Sequence, residues 1–423
     1  MNILLYMDNQ IKQAINLREQ MVQGVACPVC QSYSITTFLT RDRVPVHQHL
    51  IMESQKLARE INRGKLELVV CEDCGFIFNQ SFEPSKLNYS DSYDNSQTCS
   101  PFFEEYLSGL VRYLILERNV RNCRIVEVGC GKGWFLRKLV EFEGAGNRGY
   151  GFDPSYIGRT IDIEGRLRFE KSYYGPEYAE VPADVVICRH VIEHVPDPPS
   201  LLRTIRQTVI NSPHARIFFE TPCVEWILRN QVIWDLFYEH CSYFTAESLR
   251  TAFEISNLKV ESVHHVFGGQ YLWLEAELSD EKLSATKCAG SIPALARQFA
   301  KSEDMMINSL RARVQGIADR EKVALWGAGA KGVTLANLID PECKWITCVV
   351  DLNPKKQGHY LPGTGHPIVG YHELEKYGIN VAILMNPNYR DENLALIRES
   401  GLKLNLIDLA EWIENYENEK IMV

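Results

Sequence analysis

The sequence predicts an α/β protein with a central and a C-terminal Rossmann-like unit, preceded by a small unit built around four cysteines. Three observations carry this. Two CxxC pairs, Cys27–Cys30 and Cys71–Cys74, stand about 40 residues apart. Two apolar strand-length runs, Ile125–Val128 and Lys322–Trp326, each run into a glycine-rich turn followed by a helical stretch. From Arg124 onward, short apolar runs alternate with helical segments, the pattern of a parallel sheet with crossover helices. Polar, turn-rich stretches at 90–100 and 280–291 divide the chain into spans 1–88, 89–285 and 286–423.

Composition narrows the classes of function. The 423 residues are 45% hydrophobic and 23% charged, ordinary for a globular protein of two or three domains. Net charge is −9, from 54 acids against 45 bases, which argues against a surface built to follow nucleic acid phosphates. Acidic residues beside the cysteine pairs (Glu67, Glu72, Asp73) argue the same way against a nucleic-acid-binding zinc ribbon. No apolar run of about 18 residues exists to span a membrane. The start of the chain lacks the basic residues and small-residue cleavage site of a signal peptide. Thirteen cysteines, an odd number in a long chain, suit reduced thiols and metal ligands better than disulfides, so a cytoplasmic setting is expected.

Taken in order, a helix is expected over 9–22, followed by the first cysteine pair. Four thiolates from two CxxC turns suffice to surround one tetrahedral Zn²⁺, and Gly75 lets the second turn close. Four sulfurs leave no open position, so Cys27, Cys30, Cys71 and Cys74 read as a structural zinc site. Phe103, Tyr106, Leu107, Leu110, Tyr113 and Leu114 recur at helical spacing. Strands follow at Arg124–Val128, Gly149–Phe152, Val185–Cys188 and Ala215–Glu220. A long amphipathic helix over Ile292–Arg320 precedes further strands at Lys322–Trp326, Trp345–Val350 and Val381–Met385.

The first glycine turn, Glu127-Val-Gly129-Cys-Gly131-Lys-Gly133, allows a ligand to approach the backbone closely. Glu127 lies inside an apolar strand, costly unless it serves the turn or a ligand. Asp153 ends the next strand, 24 residues after Gly129, where a carboxylate accepts hydrogen bonds from ribose hydroxyls. This segment resembles class I methyltransferases that use S-adenosylmethionine, with NAD binding as the alternative. The resemblance implies that Glu127, Gly129 and Gly131 cradle the methionine part and that Asp153 holds the ribose.

Two acid–histidine clusters follow. Arg189-His190-Val-Ile-Glu193-His194 lies at the carboxyl end of a strand, where ligands of parallel sheets bind. Its H-x-x-E-H spacing, with Pro196 close behind, is not that of a helical H-E-x-x-H zinc motif. His194 lies farther into the loop and is the better candidate to face a site; His190 is assigned to the cofactor side. The second cluster, Tyr238-Glu239-His240-Cys-Ser-Tyr-Phe-Thr245, sets a carboxylate and an imidazole among aromatics, surroundings that tune a general base.

Together these features resemble the sugar-nucleotide C-methyltransferases over nearly the whole chain. Members carry a Tyr/His-Glu-His-Phe-Ser-Tyr-Phe-Ser segment, matched here by Tyr238–Thr245 with Cys241 in place of phenylalanine. They also carry paired tyrosines after the second cysteine pair, matched by Tyr89 and Tyr93. The resemblance implies that His240 is the base, oriented by Glu239, with His194 and Tyr238 nearby. It also implies that the C-terminal unit helps hold a nucleotide-linked ketosugar. His47 and His49, between the cysteine pairs, depart from the family's pattern and alternate like one face of a strand, facing either the acceptor or solvent.

The second glycine turn, Gly327-Ala-Gly329-Ala-Lys331-Gly332, has its own strand-end acid, Asp351. Three readings compete: NAD binding, binding of an acceptor's diphosphate at the helix start with Lys331, or a turn kept for packing. Asn388 and Tyr389 follow a later strand at the same sheet edge. The sequence therefore predicts an S-adenosylmethionine-dependent methyltransferase acting at carbon on a small, nucleotide-linked acceptor; it leaves the oligomeric state open, a monomer being plausible for three packed domains. An O- or N-methyltransferase, an NAD-dependent oxidoreductase and a zinc-ribbon nucleic-acid-binding protein are the alternatives.

Overall fold

The computed structural model describes residues 24–87, 93–94, 99–212 and 214–412. The helix expected over 9–22 and Tyr89 lie outside these residues.

The first sheet begins with β1 (Ile35–Pro45), β2 (Arg63–Cys71) and β3 (Ile77–Asn79), joined antiparallel. The alternating burial of β2, with Leu66 and Leu68 turned inward, is the half-buried pattern of such a sheet. The cysteine pairs sit at one end of it. Cys27 and Cys30 lie in the turn before β1, Cys71 ends β2, and Cys74 lies in the turn between β2 and β3.

The central sheet has eight strands. In chain order they are β4 (Arg124–Val128), β5 (Arg148–Phe152), β6 (Ile161–Asp162), β7 (Leu167–Glu170), β8 (Val185–Arg189) and β9 (Arg216–Pro222). Next, β10 (Ser242–Tyr243) leaves this sheet and pairs with β3 at the edge of the first one. The last two central strands are β11 (Leu258–Val266) and β12 (Tyr271–Leu278). Spatial order is β11-β12-β9-β8-β4-β5-β7-β6. The strands β9, β8, β4, β5 and β7 are parallel, as the alternation predicts. The expectation of an all-parallel sheet is corrected at both edges, where β12, β11 and β6 run antiparallel. The reason is local: the short Phe267–Gly269 turn closes a β11–β12 hairpin, with no room for a crossover helix.

The C-terminal sheet is all parallel, in the order β15-β14-β13-β16-β17. Its strands are β13 (Lys322–Trp326), β14 (Ile346–Val350), β15 (Ile368–Val369), β16 (Ile379–Leu384) and β17 (Asn405–Asp408). The 27-residue helix Ile292–Ala318 precedes it.

The apolar cores cross between these sheets. One joins Leu39 and Leu66 of the first sheet to Ile233 and Trp234, to Phe299 of the long helix and to Val323 and Leu325 of β13. A second joins the four cysteines and Phe76 to Phe152, Cys188 and Phe219 of the central sheet. Buried Arg41 on β1 ties the same regions by polar bonds, to Glu303 of the long helix and to the carbonyls of Ile233 and Leu236. Among the described residues, no helix is long and apolar enough to cross a membrane.

Candidate active site

In both Rossmann-like sheets the strand order reverses at the strand bearing the glycine turn, β4 and β13, so a crevice opens at its carboxyl end. The two turns are built alike. Asp153, at the tip of β5, accepts the amide of Gly131 at 2.8 Å and that of Ser155 at 2.7 Å. Asp351, at the tip of β14, accepts the amides of Ala328 at 3.0 Å and Asn353 at 2.8 Å. Each acid is thereby held rigidly over its turn.

The glycines of the first turn have distinct tasks. Gly129 has φ +71°, and a Cβ there would stand 2.0 Å from Val191. Gly131 has φ +55° and faces open space, leaving a cradle for a ligand. Glu127 is 2% exposed, and its Oε2 has no hydrogen-bond partner. Burial raises its carboxyl to about 7, against the pull of Arg189. A buried acid with an orphan oxygen beside a bare glycine turn fits an ammonium- or hydroxyl-bearing ligand. Glu127, Gly129, Gly131 and Asp153 together form a cradle with the space and polar groups that such a ligand needs.

Beside this crevice lies a cavity of about 280 Å³ between the carboxyl edges of the central and C-terminal sheets. His190, Glu193, His194 and His240 line it from the central side. Gly327, Gly329, Lys331, Asp351 and Tyr389 line it from the other, and His49 and Tyr93 close it. Leu50, just after β1, makes an antiparallel bridge to Tyr93, whose ring meets those of His47 and His49 edge-on. Tyr93, assigned to the cofactor by resemblance, thus stands in the wall of this cavity.

His240 is held by its loop rather than by Glu239. The loop is pinned by Asn79 N–H to the Cys241 carbonyl (2.9 Å), by Ser242 Oγ to the Val195 carbonyl (2.7 Å) and by the β10–β3 pairing. The His240 ring packs against Phe237, with centroids 4.1 Å apart, and against His194 at 4.8 Å. Its Nδ1 has no hydrogen-bond partner. Burial, then the charges of His194 and His190, hold its pKa well below the ordinary value, so the ring is kept in its neutral form.

The expected Glu239–His240 pairing is corrected. Glu239 is fully buried and turns the other way: Oε1 meets His47 Nδ1 at 2.9 Å and Oε2 accepts the Gln48 amide at 3.0 Å. Burial alone would raise its carboxyl, but the His47 hydrogen bond and the surrounding imidazoles hold it below the usual range. Glu239 contributes its backbone to the site, because its carbonyl lies 2.9 Å from His194 Nδ1. His47 is therefore neither on the surface nor in the cavity; it anchors the first sheet to the loop of His240.

Three further expectations move. Tyr238 does not reach the cavity: its ring lies against Gly64, and its hydroxyl accepts the Glu83 amide at 2.9 Å. Asn388 is likewise outside the cavity, donating to the Phe267 carbonyl at 3.1 Å. Lys331 lines it, but its charge is matched by Asp235 at 2.7 Å, leaving less for an incoming phosphate. Sequence reasoning missed Lys356, buried at the cavity wall beside Asp351 (3.8 Å). It also missed Glu220, which accepts from Tyr106 and from Arg189 Nε (2.6 Å) beneath His190. The interior charge of β9 was the available signal for Glu220; nothing local marked Lys356.

The depressed imidazoles make stability depend on pH. Burial and then Lys356 lower His49 to about 3, from an ordinary 6.5. The unfolded chain takes up these protons near the ordinary value, whereas the folded protein does so only below it. Stability should therefore fall as pH drops from about 6.5 toward 3, by about 1.4 kcal/mol per pH unit for each such group, and be insensitive to them above about 7. Thermal melts from about pH 8 to about pH 4 test this. The His49→Gln variant should decline less steeply than the parent, and an equal slope contradicts the assignment.

Comparisons with known proteins bear on this geometry. A family profile described as a methyltransferase domain matches residues 102–263, which hold β4, β5, β8 and the first glycine turn. The protein is an S-adenosylmethionine-dependent methyltransferase. A second profile, described as a C-methyltransferase C-terminal domain, matches residues 286–403 of this methyltransferase. The chain is 27% identical over 287 residues to the C-methyltransferase NovU of Streptomyces niveus, a match covering 63% of this chain and 67% of that one. It is 34% identical over 131 residues to a ubiquinone biosynthesis O-methyltransferase of Yersinia pestis (strain Pestoides F), covering 28% of this chain and 50% of that one. Among solved structures, the magnesium protoporphyrin IX methyltransferase ChlM of Synechocystis PCC 6803 with bound SAH aligns at 16% identity with a TM-score of 0.32. That alignment covers 42% of this chain and 84% of the other.

Proposed function

We propose that this methyltransferase methylates a carbon atom of a nucleotide-linked ketosugar held between its central and C-terminal sheets. The observation that carries the reading is His240: a neutral, buried imidazole with an unpartnered Nδ1 in the wall of the cavity beside the cofactor crevice. S-adenosylmethionine, when bound, supplies an electrophilic methyl carbon. His240 removes the proton from the carbon next to the acceptor's ketone, and the resulting enolate carbon becomes the nucleophile. Phe237 and His194 fix the ring, and His194 is fixed in turn by the Glu239 carbonyl. Alignment contributes more to methyl transfer than acid–base strength does, which suits a cavity walled by two sheets and closed by His49 and Tyr93. The second glycine turn, with Lys331 and Lys356, is read as the diphosphate side of the acceptor site. The similarity to a C-methyltransferase over 63% of the chain, with the C-methyltransferase C-terminal profile over 286–403, supports carbon as the methylated atom; the O-methyltransferase match, confined to 28% of the chain, supports only the shared donor chemistry.

The cysteine quartet is read as a structural zinc site. Sγ of Cys27 lies 3.7 Å from that of Cys74, and Cys30 3.5 Å from Cys71. Tetrahedral zinc at about 2.3 Å from sulfur spaces its ligands about 3.8 Å apart. All four are buried, and among the described residues no other donor group joins the cluster.

A thermal-shift scan tests the acceptor class. With saturating S-adenosylhomocysteine, one nucleoside diphosphate among dTDP, UDP, GDP and CDP should raise the melting temperature and NAD⁺ should not. Stabilisation by NAD⁺ alone would overturn the sugar-nucleotide reading.

A further inference from the structure

The cavity wall holds a cluster that proton removal uses only in part. Glu193, His194 and His240 each offer a donor atom within 4.8 Å of the other two. Their sequence positions hide this. The 3₁₀ turn Ile192–His194 presents the first two, and the loop before β10 brings the third. The H-x-x-E-H spacing is therefore not helical, yet its last two members still meet a second imidazole.

Two of these groups are buried with one atom that makes no hydrogen bond. Glu193 is 1% exposed, and its Oε1 makes no hydrogen bond; His190 Nδ1 stands 3.4 Å away, outside hydrogen-bond geometry. His240 is 9% exposed, with Nδ1 unpartnered. The outer contacts orient the donors. His194 Nδ1 faces the Glu239 carbonyl, which only accepts, so in the neutral ring Nδ1 carries the proton and Nε2 the lone pair. Glu193 Oε2 accepts the Thr221 hydroxyl at 3.0 Å. A carbonyl behind the histidine and a hydroxyl behind the carboxylate are the supports that metal ligands receive.

We propose that Glu193, His194 and His240 bind a divalent transition-metal ion, with its remaining position open to the acceptor cavity. Two imidazoles and one carboxylate with an open site match the borderline preference of zinc, cobalt and nickel rather than magnesium. Resting on the proposed function, one consequence follows: the ion takes the His240 lone pair that proton removal needs, so occupancy inhibits methyl transfer.

The test is cobalt titration of the purified, zinc-containing protein without acceptor. One cobalt per chain should bind with visible d–d absorption and without the near-ultraviolet sulfur-to-cobalt band that the cysteine site would give. Glu193→Gln and His240→Asn should each lose that cobalt while keeping sulfur-bound zinc. Absence of a saturable cobalt, a signal appearing only with the sulfur band, or binding unchanged in both variants would each overturn the site. Because the readout uses no acceptor, a wrong acceptor assignment leaves it unaffected. Conversely, loss of turnover in His240→Asn with no cobalt bound by the parent would support the base and reject the metal.

Discussion

His240→Ala should bind S-adenosylhomocysteine as tightly as the parent and transfer methyl about a hundred- to ten-thousandfold more slowly. The separation of effects follows from position. The residues proposed to hold the cofactor cluster at the Gly129–Gly131 turn and Asp153, whereas His240 lines the neighbouring cavity on a loop fastened to β3. Removing the imidazole deletes the proton acceptor without loosening that loop, because the anchors are backbone groups and Ser242. Calorimetric cofactor titration with single-turnover rates measures both halves. Full turnover in the variant would remove His240 from the chemistry; lost cofactor affinity would assign it a different role.

Cys71→Ser should cost the protein its sulfur-bound metal and lower the melting temperature by about 10 °C or more. The damage should reach the chemistry. Cys71 ends β2, β3 follows, and β3 carries β10 and with it the loop of His240. The four cysteines also share a core with Phe76 and Phe244, so an emptied site loosens packing against the central sheet. Turnover should fall together with stability. Cys123→Ser is the control: that half-buried thiol lies apart from the quartet and donates to the Arg121 carbonyl, and its loss should leave metal content unchanged. Equal metal content in Cys71→Ser and the parent would contradict a four-sulfur site.

What the sequence made legible was local and periodic. The strands β4, β8 and β13, the cysteine pairs and both glycine turns stand where their patterns put them, because each depends on a few neighbouring residues. The antiparallel edges of the central sheet escaped because apolar alternation does not encode strand direction. Side-chain partnerships were the least legible. Adjacent Glu239 and His240 invite pairing, yet successive side chains diverge, and Glu239 finds His47 192 positions away. Asp235 against Lys331 and Tyr106 against Glu220 are likewise contacts created only by folding. Tyr238 shows the converse: its motif position suggested chemistry, and its fully buried ring against Gly64 serves packing.

The central claim, methyl transfer to carbon, is tested most directly with S-adenosylmethionine carrying a ¹³C-labelled methyl group. The acceptor is the ketosugar linked to whichever nucleoside diphosphate stabilises the protein, and the product is read by NMR. The account predicts an aliphatic C-methyl resonance coupled to the sugar carbon skeleton, and its loss in His240→Ala. A methoxy or N-methyl resonance would contradict it and make this cavity the site of a different nucleophile.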